Sequence, residues 1–190
     1  PASDLKTQIT AARLNGGDRW ACLAAPVSAD GEWTVALEKA QQQGFSVEAV
    51  LITTPVIDGV ELSQMNDAAV ALNNVYGRRS FVMACSAGIS ALQPWSQYLT
   101  EQKAITADVA APRVLVVPQL HGNDLGVLAG RLANAAMSIA DTPMRVASGA
   151  VLGLGPVPVD AEGVPLPSAI RAELDKARFS VSQTYPDYPG

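Results

Sequence analysis

"FSVEAVLITTP", residues 45 to 55, reads as a β-strand with both faces covered. Val47, Val50, Ile52, Thr53 and Thr54 are β-branched, and such side chains fit a pleated, packed surface. The apolar residues run on from Ala49 to Ile52 without the in-out alternation of a strand that is wet on one face. Pro55 lacks a backbone donor and should end the strand. "PVIDGV" (55–60) is then a turn, and "ELSQMNDAAVALNNVYG" (61–77) sets Leu62, Met65, Ala69, Leu72 and Tyr76 at helical spacing, with Gly77 as the stop. "SFVMAC" (80–85) is a second continuous apolar run. Apolar strand, amphipathic helix, apolar strand is the signature of a parallel βαβ unit.

The same alternation extends both ways from this unit. Upstream, Ser3 suits the N-cap of "DLKTQITAARLNGG" (4–17), in which Leu5, Ile9 and Ala12 share a face, Asp4 suits the first turn and Gly16 can stop the helix. "RWACLAAPV" (19–27) reads as a buried strand closed by Pro26. "GEWTVALEKAQQQG" (31–44) reads as a helix with Trp33, Leu37 and Ala40 on one side and Gly44 just past its end. Downstream, "ALQPWSQYLTEQKAITAD" (91–108) is a helix with Pro94 in its first turn, and "RVLVVPQL" (113–120) is a strand. A further helix runs from about Asp124 to Met137. The texture then changes. "MRVASGAVLGLGPVPVDAEGVPLP" (144–167) is dense in Gly, Pro and Val, and offers one strand near 145–152 followed by a loop. "SAIRAELDKARF" (168–179) is a short helix with Ser168 as its cap, and the closing "SVSQTYPDYPG" (180–190) offers at most an edge strand.

The expected fold is therefore α/β: a mostly parallel, doubly wound sheet with flanking helices, plus a Gly/Pro-rich C-terminal extension. The expected organisation is an N-terminal helix or linker over 1–18, the α/β domain over 19–178, and an extended tail over 179–190 that leads to a missing segment. A start at Pro1 without Met and an end at "TYPDYPG" read as the two ends of a piece cut from a longer chain.

Composition narrows the function. Apolar residues make up 48% of the 190, yet aromatics only 5%, so the core should be packed from small aliphatic side chains. The net charge is −5, which argues against a nucleic-acid partner, because phosphate binding needs a concentrated basic surface. No apolar run approaches the ~18 residues of a membrane span. Cys22 and Cys85 sit in apolar runs and read as buried free thiols in a reducing compartment.

Chemical motifs are sparse. No GxGxxG follows the first strand, no GxxxxGK[ST] occurs, and Gly153 and Gly155 in "LGLGPVP" precede prolines, not the helix N-terminus a phosphate requires. One His and two distant Cys make no closed zinc set, so neither metal nor cofactor is expected. The rival is a serine hydrolase. "ACSAG" (84–88) is a relaxed nucleophile elbow at a strand end, and Ser86, Asp108 and His121 follow in hydrolase order. Against it, "ISALQP" (89–94) delays the helix that should begin at once, and some 60 residues follow the histidine. The expectation is that Ser86-Ala87-Gly88 is an ordinary turn and that the protein is not an enzyme. His121, the only histidine, is expected to be exposed at the strand exit or bonded to a neighbouring carbonyl, with Asn123 or Asp124 capping the next helix.

That next helix carries a second signal. Gly126 and Gly130 lie four apart with Ala129, Ala133 and Ala136 nearby. Each interior Gly costs about 1 kcal/mol relative to Ala. Two of them call for close backbone approach along a bare stripe (Gly126, Ala129, Gly130, Ala133), against the sheet or another subunit. Leu125, Leu128 and Leu132 flank it.

The order of these segments resembles the central domain of contractile phage tail sheath proteins. The resemblance rests on the strand "AVLITTPVIDG", the helix "ELSQMNDAAVALNN", the strand "RRSFVMAC" after Arg78 and Arg79, and "VLVVPQLHGNDLGVLAGRLA". In the last, Pro118, Gly122, Ala129, Gly130 and Arg131 match the family's Pro, Gly and Arg positions, and "ADTPM" stands where its later Pro-containing stretch would be. The terminal Tyr185, Pro186, Tyr188, Pro189 and Gly190 are similar to the segment leading into the family's C-terminal assembly region. The second proline of the family's pair is Gln119 here. The sheaths of pyocins and of the type VI secretion system share the same features. The resemblance implies a structural subunit that stacks as rings around a tail tube and drives it through the host envelope on contraction. Its partners would be copies of itself and the tube protein, with no nucleic acid and no membrane insertion. Its place would be the virion tail, after assembly in the bacterial cytoplasm. Terminal arms in that family add strands to a neighbour's sheet, a contact made by main-chain hydrogen bonds.

Overall fold

A computed structural model describes residues 3–17, 21–25, 32–45, 47–77, 80–134 and 151–182. Three strands, β1 (Ala49–Val56), β2 (Phe81–Ser86) and β3 (Val114–Pro118), form a parallel sheet in the order β1-β2-β3. Helices α1 (Asp4–Gly16) and α2 (Glu32–Gln42) precede it. Crossovers α3 (Gly59–Tyr76) and α4 (Trp95–Thr106) join the strands, and α5 (Asp124–Ala133) and α6 (Ser168–Lys176) follow.

β2 is central and pairs on both sides, so Val82, Met83, Ala84 and Cys85 are completely buried. The pleat sends alternate residues to opposite faces. Ala84 and Val116 meet Leu62, Trp95, Tyr98, Ile105 and Leu174 of α3, α4 and α6. Met83, Cys85 and Val117 meet Leu125 of α5 on the other face, where Leu128, Ala129 and Leu132 pack around them. Helices on both faces of a parallel sheet make this an α/β fold. Burial pushes the Cys85 thiol up to about 11, so it is an inert packing group.

Several sequence expectations fail. The run 19–27 contributes no strand among the described residues: 21–25 are exposed and irregular, and Cys22 with them, so three strands stand where four were expected. β1 does not stop at Pro55. Its register slips between Ile52 and Pro55, and Pro55 then pairs with Cys85. An edge strand tolerates Pro at such an irregularity because no partner needs the missing N–H. Among the described residues no strand pairs with the outer side of β1, which is half-covered where its composition suggested full burial. Ser168 does not cap α6; Pro167 holds that position and Ser168 is the first helical residue. The strand suggested near 145–152 lies mostly outside the described residues, and 151–152 are not in one.

Local chemistry sets the crossover geometry. Asp58 Oδ1 accepts the N–H groups of Val60 and Glu61 (2.9 and 3.0 Å), and Glu61 accepts the N–H of Ile57 (3.0 Å). This reciprocal capping starts α3 directly after β1. At its far end Gly77 adopts φ 66° and donates to Asn73 O. The Asn73 amide then brackets Ser80 through its N–H and C=O, and Ser80 Oγ donates to Val47 O, pinning the starts of β1 and β2 together. After α6, Phe179 inserts into the core and pairs in parallel with Val116, and Ser180 N–H donates to Val116 O (2.8 Å).

Glu173 ties α6 to α4. Its carboxylate takes Lys103 Nζ at 2.6 Å and Lys176 Nζ at 2.7 Å, and the Lys103 hydrogen bond, then that of Lys176, holds its pKa down to about 2. Folded Glu173 therefore binds its proton more weakly than the unfolded chain does. The tie contributes above the ordinary carboxylate pKa and is lost as pH falls toward about 2. NMR titration should place the Glu173 carboxyl near 2, and Lys103→Ala should return it toward the ordinary range.

Candidate functional site

The carboxyl ends of parallel strands are where α/β proteins place their chemistry. Here β2 ends at Ser86, which is completely buried. Its hydroxyl donates to Gln102 Oε1 of α4 at 2.5 Å, and its carbonyl accepts the N–H of Gln119. Gly88, two residues on, faces the Gln119 carbonyl so closely that a Cβ there would lie 3.3 Å from the carbonyl carbon. The turn is thus packed against the β3 exit. Asp108 is exposed, at φ 55° after the far end of α4. Ser86, Asp108 and His121 accordingly do not make the nucleophile–base–orienter chain that acyl transfer needs. A fluorophosphonate probe should leave the protein unlabelled. Ser86→Ala should cost about 1–3 kcal/mol in urea unfolding, because it strands a buried Gln102 acceptor. Labelling that vanishes in Ser86→Ala would restore the hydrolase reading.

His121 is neither exposed nor bonded to a carbonyl. It is 8% exposed, and Nδ1 lies 2.9 Å from Asp124 Oδ1, while its N–H donates to Asp124 Oδ2 at 2.6 Å. A carboxylate only accepts, so Nδ1 carries the proton. Asp124 is therefore spent on the preceding turn, not on capping α5. Its own N–H donates to Gln119 Oε1 (3.0 Å). Asn123, the N-cap residue, makes no side-chain cap either.

The cap comes from α1. Buried Gln8 accepts the N–H of Gly126 at Oε1 (2.7 Å) and donates from Nε2 to Gly122 O (3.0 Å). One amide thus serves an orphan donor of α5 and the carbonyl of the turn before it. Asn15, also buried, brackets Leu152: Nδ2 donates to Leu152 O (2.9 Å) and Oδ1 accepts its N–H (3.0 Å). Asn123 closes the lace, donating to Gly153 O (2.7 Å) and accepting the N–H of Gly155 (3.0 Å). The "LGLGP" stretch, bent at Gly153 (φ 66°), is held by two asparagines that bracket its backbone N–H and C=O groups. At Gly155 a Cβ would collide with the His121 carbonyl.

The helix stripe meets the same partner. A Cβ on Gly126 would run into the Gln8 carbonyl oxygen and lie 2.8 Å from Gln8 Cα; on Gly130 it would strike the Ala12 oxygen and lie 2.9 Å from Ala12 Cα. Gln8 opposite Gly126 and Ala12 opposite Gly130 make α1 and α5 parallel and in backbone contact. The sequence weighed the sheet or another subunit as the neighbour; α1 of the same chain occupies that place. Ala129 turns toward the sheet, and Ala133 is exposed. The buried face of α1 is Gln8, Ala11, Ala12 and Asn15, rotated from the expected Leu5, Ile9 and Ala12 face. Gln8, Asn15 and Asn123 were not singled out in the sequence. Gln8 and Asn15 stand seven apart beside Ala11 and Ala12, and that polar-and-small stripe is the signal that could have found them.

Tyr185, Pro186, Tyr188, Pro189 and Gly190 lie outside the described residues. Among the described residues no group of three or more His, Cys, Asp or Glu could hold a metal, and no helix is long and apolar enough to cross a membrane. No strand among them pairs with the outer edge of β1.

The model of the DUF2586 N-terminal domain matches residues 1–190. A protein of Haemophilus phage HP1 (strain HP1c1) named "Putative tail sheath protein" is 36% identical over 195 residues, a span covering 99% of this chain and 52% of that protein. The chain spans about half the length of this curated relative. No solved structure matches it.

Proposed function

The chain belongs to the DUF2586 family, as its N-terminal domain, and from that premise we propose that it is part of the sheath subunit of a contractile phage or phage-like tail. The observation that carries this reading is the 36% identity, across 99% of the chain, to the named sheath protein of phage HP1. In this role the subunits stack as rings around the tail tube, and contraction repacks them and drives the tube through the host envelope. Its partners are its own copies and the tube protein. It assembles in the host cytoplasm, acts in the virion tail, and catalyses nothing.

Two features of the fold accord with mechanical work. The polar groups at the carboxyl end of the sheet are committed to one another: Ser86 to Gln102, His121 to Asp124, Asn123 to 153–155. They brace the loops and leave no poised nucleophile. The outer edge of β1 carries backbone donors and acceptors with no strand partner among the described residues, a template for a strand from a neighbour's arm. Tyr185, Pro186, Tyr188, Pro189 and Gly190 are proposed to lead into that assembly region. The complete gene product, expressed and viewed by negative-stain microscopy, should form tubes or rings. Monomers at high concentration would overturn the proposal.

A further inference from the structure

The side of α1 that the fold buries is Gln8, Ala11, Ala12, Asn15 and Gly16, so no large apolar side chain on that side holds the helix in place. Its larger apolar residues stand elsewhere. Leu5 and Ile9 are half-buried and line a broad groove with Leu37 of α2 and Leu51 of β1, and Leu14 is 52% exposed. Docking draws its free energy mainly from buried apolar area, and Ala and Gly supply little of it. The centre of the sheet is built differently, with Val82, Met83, Ala84 and Cys85 of β2 completely buried.

In place of apolar packing, α1 makes a seam of amide hydrogen bonds that reaches separate parts of the chain. Gln8 holds the turn before α5 through Gly122 O and the first turn of α5 through Gly126 N–H. Asn15 O accepts Asn134 Nδ2 just past the end of α5 (3.0 Å), and the Asn15 amide brackets Leu152. Gln8 and Asn15 stand about 10 Å apart along one short helix. A rigid rod that lifts from α5 releases both together. What it leaves behind is main chain that water can satisfy, much of it already at the surface, since Gly122 and Leu152 are exposed residues. Leu125, Leu128 and Leu132 of α5 pack with Met83, Cys85 and Val117 of the sheet, so α1 can depart without dismantling that cluster.

We infer that α1 is a latch: with the Gly122–Asn123 turn and the 152–155 stretch it opens as one cooperative unit, while α5, the sheet and helices α3, α4 and α6 stay folded. Units that open at a lower cost than global unfolding are the elements a protein moves when it changes arrangement. The latch is a property of the fold and holds whatever the chain assembles into.

Hydrogen exchange on the complete gene product tests it, because two donors outside α1 report on its release. Gly126 N–H donates to Gln8, and Leu152 N–H donates to Asn15. Gln8→Ala should speed exchange at Leu152, and Asn15→Ala should speed it at Gly126, each by about tenfold, the factor set by the net contribution of a lost hydrogen bond. Met83 and Ala84 in β2 should keep their wild-type rates. The crossed effect is the signature, since neither substitution touches the donor it accelerates. Acceleration only at the donor each amide had held would show two independent local contacts and overturn the latch. So would no acceleration at either donor. Acceleration that spreads to Met83 and Ala84 would overturn it too, because α1 would then leave only when the whole domain unfolds. None of these readouts needs rings or tubes, so the sheath reading and the latch stand or fall separately.

Discussion

Gly126→Leu is expected to destabilise the protein by about 1–3 kcal/mol in urea or thermal unfolding, the range for forcing extra volume into a packed seam. The physical reason is narrow. A Cβ at 126 falls against the main chain of Gln8, and main chain cannot rotate aside as a flexible side chain can. The substitution pries α1 from α5, and two hydrogen-bonded side-chain amides depend on that contact. Gln8 loses Gly126 N–H and Gly122 O, and Asn15 loses its bracket on Leu152. Gly130→Leu should behave alike through Ala12. Ala133→Leu, on the exposed side of the same helix, should stay within about 0.5 kcal/mol of wild type. If Gly126→Leu unfolds at the wild-type denaturant midpoint, α1 does not lie where the structure puts it.

Trp95→Ala should cost more, about 3–5 kcal/mol. Trp95 is 5% exposed and meets Tyr98 edge-on, with ring centroids 5.8 Å apart at 85°. It opens α4 immediately after Pro94, which has no side-chain cap to offer, and its backbone N–H reaches Asp160 Oδ2 at 3.5 Å. Removing the indole empties a large core volume and deletes one of the hydrogen bonds, Nε1–H to Val164 O at 2.9 Å, that hold down the 157–166 hairpin, in which Val159 bridges Pro165. Hydrogen exchange should therefore speed up at the N–H groups of Val164 and Leu166 before the sheet is affected. A variant with wild-type stability and wild-type protection in the hairpin would show that Trp95 is not its anchor.

The two substitutions mark the boundary between what was legible in the residues and what was not. The βαβ unit around residues 45–85 was legible because each step has a local cause: β-branched runs, the 3.6-residue spacing of Leu62, Met65 and Ala69, and a Gly at the end of α3. The close approach signalled by Gly126 and Gly130 was legible too, since two interior glycines in a short helix demand a reason. Its partner was not. Gln8 and Gly126 are 118 positions apart, and Asn15 and Leu152 are 137 apart, so no window along the chain contains both members of either pair. The expected strand at 19–27 shows the reverse error, because "WACLAA" has strand-like composition yet 21–25 lie exposed outside the sheet. Composition measures affinity for a core and says nothing of whether the core has a vacant edge at that point in the chain. His121 was misjudged for a related reason: the turn that precedes α5 folds the Asp124 carboxylate back over it, and "HGND" alone fits helix capping equally well.

Local pattern alone was enough to establish the class of fold, the parallel sense of the strands and most helix ends, because each follows from the periodicity and backbone preferences of neighbouring residues. Folding in three dimensions decided the rest: the strand count among the described residues, the half-bare β1, the face that α1 buries, the partner of the glycine stripe, and the bonds that bind Ser86 and His121. Those outcomes depend on which distant segment arrives within 3 Å of a given amide or carboxylate. Contacts of that kind are settled by shape, after the chain has closed on itself.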